Sequence, residues 1–126
     1  MTWFLVAIGG ALGASCRYLV DLSVTARFGS RLPWGTLLVN VLGSAAFGLL
    51  VGLSTAPSAD VSAAVLALLG TGFCGAFTTA SAVAWETLAL AELGSPGRAV
   101  ATIGLNVVLG LALAGTGVAA GLALAA

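Results

Sequence analysis

Histidine and lysine are absent from this 126-residue chain, and charge of any kind is scarce. Arginine, aspartate and glutamate together make up 6% of the residues, against 60% apolar. An ordinary soluble domain is about a quarter charged and about half apolar. So few charged side chains cannot cover a water-facing surface, which makes lipid the solvent of this chain. The missing histidine also bears on the two cysteines, Cys16 and Cys74. Two thiols without an imidazole offer neither a zinc site nor a disulfide framework, and at lipid depth Cys behaves as a small apolar residue. Net charge is zero, and no basic run or basic–aromatic interleaving points to nucleic acid. A cleavable leader competes for the N-terminus, but the stretch lacks a basic n-region and no polar mature domain follows it.

The apolar runs set the spans. A helix crossing the hydrocarbon needs about 20 mostly apolar residues. Residues 2–20, 34–53, 61–90 and 99–124 meet that requirement, which predicts an all-α integral membrane protein of four transmembrane helices in a single unit, 1–126. Arg17, Tyr18 and Asp21 close the first span, and a polar loop runs through Arg27, Phe28, Gly29, Ser30, Arg31 and Pro33. "STAPSAD" (54–60) ends the second span, and "ELGSPGR" (92–98) is a turn. The third span is too long for one plain crossing. Glycine pairs four apart, Gly9 and Gly13, Gly48 and Gly52, Gly117 and Gly121, predict close helix packing. Four thin helices do not readily enclose a pathway alone, so an oligomer is expected. Trp3, Tyr18 and Trp34 lie near span ends, as interface anchors do.

Against this background, "GAFTTASAVAWE" (75–86) gathers rare hydroxyls and a carboxylate inside the third span. Asn40 and Asn106 are the amides at depth in the second and fourth spans. Polar groups facing lipid cost about 2.5–3.5 kcal/mol for Asp, Lys or Arg, so they turn toward a partner or a wet path. Asn106 reads equally well as interhelical glue, whereas Asn40 with the Thr/Ser cluster favours a pathway. On a regular helix Thr79, Val83 and Glu86 share one face, with Thr78, Ser81 and Trp85 on the next. Gly70, Gly72 and Gly75 weaken regular helix upstream. An unwound turn at Gly75–Thr78 would present carbonyl oxygens, hard ligands suited to a hard cation. A kink relieved by Thr hydroxyls is the alternative.

"GGALGASCRY" (9–18), "PWGTLLVNVLGSAAFG" (33–48) and "GFCGAFTTASAVAWE" (72–86) resemble the small fluoride channels of the Fluc/CrcB family. The resemblance covers nearly the whole chain, in order and spacing. It implies a fluoride-specific ion channel that passively exports cytoplasmic fluoride, and no enzyme. It further implies a bacterial plasma membrane location, an antiparallel, dual-topology-type dimer and two pores along the dimer interface. A structural Na+ at the dimer centre would be held by main-chain carbonyls of Gly75 and Thr78. The fluoride pathway would carry Asn40, Thr79, Ser81 and Glu86, with Arg17 near a pore mouth. Asn40 would supply amide donors, and Thr79 and Ser81 hydroxyl donors, to a strongly hydrated anion.

The departures from the family pattern, G-G-F-T-T-F-S-T-F-S-x-E, fall in the same stretch. Ala80 and Val83 stand where the family has two pore phenylalanines, and Ala82 and Ala84 where it has Thr and Ser. Thr102 and Asn106 stand as fourth-helix polar contacts where members often carry Tyr and Ser. All four arginines are in or beside the first and third loops, which predicts a fixed orientation with those loops cytoplasmic. An antiparallel homodimer requires a chain that inserts both ways, with balanced charge. These features together point to one half of a heterodimer, an oppositely oriented homologous subunit supplying the phenylalanines. Two other classes stay open: a non-conducting structural or regulatory homologue, and a small multidrug-resistance-type proton antiporter. The latter needs a first-helix carboxylate, where this chain has only Asp21 at the helix end.

Overall fold

A computed structural model describes residues 1–57 and 61–126 of the chain. The last part of the second predicted loop, residues 58–60, lies outside the described residues. Every regular element is helical among those described. Helix α1 is Thr2–Phe28 and α2 is Trp34–Thr55. The third span opens with one α turn, Ala63–Val65, widens into a π-helical stretch, Leu66–Cys74, and closes with a further turn, Gly75–Phe77; these pieces form α3. Helix α4 is Ala80–Glu92 and α5 is Pro96–Leu124. Four helical stretches, with α3 and α4 counted as one, are long and apolar enough to cross a membrane.

The helix ends follow local chemistry more closely than hydropathy. Nothing between Asp21 and Phe28 interrupts α1, so it runs well past residue 20 and takes in Arg27 and Phe28, which the sequence reading put in a loop. It stops at Gly29, whose φ of 76° suits a residue without Cβ, and whose N–H donates to the Thr25 carbonyl. The turn at 92–98 is a Schellman cap: Gly94 (φ 71°) donates to Ala91 and Ser95 donates to Leu90. Pro96 then occupies the first turn of α5, where its missing N–H costs nothing, so that helix starts three residues before 99.

Helix α2 packs chiefly on α5, and α1 on the π-helical stretch. Glycines make both contacts possible. A Cβ at Gly48 or Gly52 would collide with the Ala114 or Val118 carbonyl of α5, and one at Gly117 or Gly121 with the Ala45 or Leu49 carbonyl of α2. Gly9 and Gly13 lie in the same way against the Leu68 and Phe73 carbonyls. In lipid, where hydrophobic drive between helices is absent, such backbone proximity is how dispersion and weak hydrogen bonds hold a bundle. Few large side chains are sequestered within the single chain: Val39 is fully buried, Phe77 nearly so, and Phe73 stacks on Phe77 with ring centroids 5.4 Å apart. Many Leu, Val and Ile side chains are exposed on the single chain, toward lipid or another subunit.

Candidate functional site

The site is built around two residues between α3 and α4. Thr78 (φ −83°, ψ 158°) and Thr79 (φ −155°, ψ 120°) are extended. The Thr78 N–H still reaches Cys74 O at 3.0 Å, and its hydroxyl donates to the same carbonyl at 2.9 Å. One residue on, the pattern changes. In an α-helix the Thr79 N–H would return to the Gly75 carbonyl; here it donates to Asn40 Oδ1 at 2.7 Å. Likewise the Ala82 N–H, which would return to the Thr78 carbonyl, donates to Thr79 Oγ1 at 3.2 Å as an N-cap. Side-chain oxygens of Asn40 and Thr79 therefore take the helical donors of the Gly75 and Thr78 carbonyls.

Asn40, about two turns into α2, meets this segment as a second peptide would. Its Oδ1 accepts from Thr79 N, and its Nδ2 donates to Thr79 O at 3.0 Å. The remaining Nδ2 hydrogen goes to Asn106 Oδ1 on α5 at 2.8 Å. Asn106 is fixed in turn by donating to the Thr102 carbonyl at 2.8 Å, and the buried Thr102 hydroxyl donates to Arg98 O. Three spans are thus joined through one carboxamide whose two N–H donors are both engaged.

Helix α4 then separates two polar clefts. On one side lies a cavity of about 550 Å3 bordered by Arg17, Asp21, Thr36, Ser81, Trp85 and Glu86. In it Thr36 donates its hydroxyl to Glu86 Oε1 at 2.5 Å, and the Thr79 and Ser81 hydroxyls lie 3.1 Å apart. Glu86 Oε2 has no hydrogen-bond partner among the described residues. On the other side a more open cleft of about 340 Å3 is bordered by Asn40, Ser44, Thr79, Ala80, Val83 and Asn106. Gly75 and Thr78 border a third hollow of about 250 Å3 with Gly43, Ser44 and Phe47. Gly75 is exposed, and a Cβ there would meet nothing within 4 Å.

The residues singled out by sequence thus fall into three groups. Arg17, Thr79, Ser81 and Glu86 share the first cavity; Asn40, Thr79 and Asn106 share the second; Gly75 and Thr78 share the third. Thr102 supports Asn106 from inside the bundle. The helical-face grouping is corrected, because it assumed regular helix through Thr79. Extended backbone takes Thr78 and Thr79 out of the helical series. Within regular α4 the boundary between clefts falls between Val83 and Glu86, about 60° apart, so Ser81, Trp85 and Glu86 face one cleft while Ala80 and Val83 face the other. Thr36 was missed. Its signal was present: it lies one helical turn before Asn40, on the same face of α2.

Apolar spans joined across a polar seam define a small multi-pass membrane protein. The pattern of the family described as CrcB-like protein, Camphor Resistance (CrcB), matches residues 4–118, and the chain belongs to that family. It is 47% identical over 103 residues to a protein of Nocardia farcinica named fluoride-specific ion channel FluC 1, covering 82% of this chain and 68% of that one. A Frankia casuarinae protein of the same name is 42% identical over 122 residues, covering 94% of this chain and 95% of its own length. A third, from Streptomyces avermitilis, is 44% identical over 119 residues, with 94% of each covered.

Proposed function

We propose that this chain is a subunit of a fluoride-specific channel that lets fluoride leave the cell down its gradient. The observation that carries the reading is the name shared by relatives 42–47% identical over most of the chain. The geometry agrees with it. A small, strongly hydrated anion entering a bundle needs hydrogen-bond donors to replace its water. The Arg17 guanidinium and the Thr79 and Ser81 hydroxyls border one continuous cavity beside α4. Glu86 at the same cavity accepts the Thr36 hydroxyl with one oxygen, so that donor is already engaged within the chain. Nothing in this arrangement calls for a catalytic acid, base or nucleophile, and passive conduction uses none.

A structural Na+ is part of the proposal, and the donor set fits it. Gly75 and Thr78 present main-chain carbonyls, hard oxygen ligands, whose usual helical donors are engaged by Asn40 and Thr79 side chains. Two carbonyls from one chain are too few for a Na+ shell, so a second subunit would supply the rest. Bound there, the cation would add positive potential near the anion path. The second subunit is proposed to be an oppositely oriented homologue. Ala80 and Val83 put small aliphatic groups on the α4 side of the second cleft, and Arg27, Arg31 and Arg98 lie at or beside the first and third loops.

Fluoride efflux from liposomes tests both levels. Vesicles holding this chain with an oppositely oriented homologue should release fluoride, and those holding this chain alone should do so much more slowly. Replacing Na+ by a bulky organic cation should stop the flux. Equal rates with and without the partner would remove the heterodimer. Undiminished flux without Na+ would remove the cation, and no flux in any pairing would remove the channel.

A further inference from the structure

The second amide, Asn106, touches neither extended residue, yet it completes the only side-chain bridge among the described residues that links all of α2, α5 and the segment between α3 and α4. We propose that Asn106 is a positioning residue: through Asn40 it keeps Thr78–Thr79 extended and so keeps the Gly75 carbonyl out of the helical ladder.

The Asn40 carboxamide carries the coupling. Asn40 can satisfy Thr79 in one orientation only, with Oδ1 toward the N–H and Nδ2 toward the carbonyl. That orientation points the second Nδ2 hydrogen toward α5. An unmatched amide hydrogen at membrane depth is costly, and the flipped or swung-away carboxamide would become competitive. Asn106 Oδ1 accepts that hydrogen at 2.8 Å. Asn106 does not itself wander, because its own Nδ2 donates to the Thr102 carbonyl one turn back on α5 at 2.8 Å. Both oxygens and both amide nitrogens of the Asn pair therefore have assigned partners, and every one favours the same arrangement.

The competing state is specific. If Asn40 lets go, the Thr79 N–H is released from Oδ1 and can sample water or the Gly75 carbonyl four residues back. Val83 and Ala80, across the open cleft from Asn106, are aliphatic and offer no substitute hydrogen bond. The position thus acts on the conformation of the pathway wall without touching the anion. It bears on the channel reading above only through its effect on flux, while the conformational part stands by itself.

The test measures amide hydrogen exchange and backbone carbon shifts at Thr78 and Thr79 by NMR, with the full chain in lipid nanodiscs. Asn106→Ala should speed Thr79 exchange about ten-fold, the scale of one lost buried hydrogen bond, with Leu88 of the same helix unchanged. It should also move the Thr78 and Thr79 shifts away from extended values. Asn106→Gln keeps both the accepting oxygen and the donating nitrogen and should hold Thr79 within about two-fold of wild type. Asn106→Leu keeps volume and loses the oxygen, so it should behave like the Ala variant if the latter does not fold. Thr79 exchange that is unchanged, slowed, or accelerated together with Leu88 overturns the proposal. Fluoride efflux measured on the same proteins separates the two readings. Where wild type conducts, Asn106→Ala should slow fluoride about ten-fold. Absence of wild-type flux even with the oppositely oriented homologue present would count against the channel and leave the Thr79 exchange to decide the relay.

Discussion

The two clefts flanking α4 use the same scarce resource, polar side chains in an oily bundle, for opposite purposes. In the amide cleft, Asn40 and Asn106 direct their donors and acceptors inward, at backbone and at each other. In the hydroxyl cleft, the Thr79 and Ser81 hydroxyls meet at 3.1 Å beside a cavity of about 550 Å3, and a carboxylate oxygen of Glu86 lacks a protein partner among the described residues. A saturated network holds backbone in place, whereas hydroxyls that border an open cavity can turn their donors toward an anion passing through. The difference teaches that polarity at membrane depth is not one signal. Substitutions in the amide cleft should cost folding and flux together, and those in the hydroxyl cleft should cost less folding, relative to flux, the nearer the residue lies to the open cavity.

Asn40→Asp should produce the largest effect. The substitution is nearly isosteric, but it replaces the Nδ2 donor by an oxygen facing the Thr79 and Asn106 carbonyl oxygens. An unpaired charge left within a bundle costs about 3 kcal/mol or more. Denaturation in detergent should show that loss, and liposomes should release no fluoride. A variant that folds as stably as wild type would break the comparison, because it would mean that the amide bridge is not what holds the segment.

The sequence carried the broad outline of this arrangement and withheld its pairings. Apolar run lengths placed four spans, and Pro96 with Gly97 marked the last turn, since those residues punctuate helices by their own backbone chemistry; the capping residue itself is Gly94. The end of α1 was illegible from hydropathy, because Arg27 is compatible with a helix that leaves the membrane. At the site, Asn40, Asn106, Thr79, Ser81 and Glu86 stood out by rarity alone. Which of them meet was hidden, since the bridge joins residues 39 and 66 positions apart. Thr36 escaped for a different reason. A hydroxyl in an apolar helix usually bonds its own preceding turn, as Ser15, Ser23 and Thr102 do, and so carries little information. Thr36 instead reaches across to Glu86.

That contact gives the intermediate case. Thr36→Val preserves shape at a position only 4% exposed and removes the donor to Glu86 Oε1. Since Oε2 already lacks a protein partner among the described residues, the carboxylate would lose its one hydrogen bond within the chain. The cost should be about 1–3 kcal/mol. Combining it with Glu86→Gln in a double-mutant cycle should show coupling of at least about 0.5 kcal/mol. Additive losses would mean that Thr36 and Glu86 act independently and that the carboxylate belongs to the open side of the cleft alone.

The smallest effect on folding, and the sharpest contrast, should come from Ser81→Ala. Ser81 is exposed at the start of α4, and its one hydrogen bond joins a hydroxyl that already caps the helix by accepting from Ala82. Removing it leaves the Thr79 cap in place, and Ala is a better helix former than Ser, so stability should change by no more than about 0.5 kcal/mol. Fluoride release should nevertheless fall, because the passing anion loses a donor that the folded chain does not need for itself. Measuring unfolding and efflux on the same preparation decides the matter. A matched loss in both would place Ser81 with the amides as structural, whereas a loss in flux alone would assign the hydroxyl cleft to the anion.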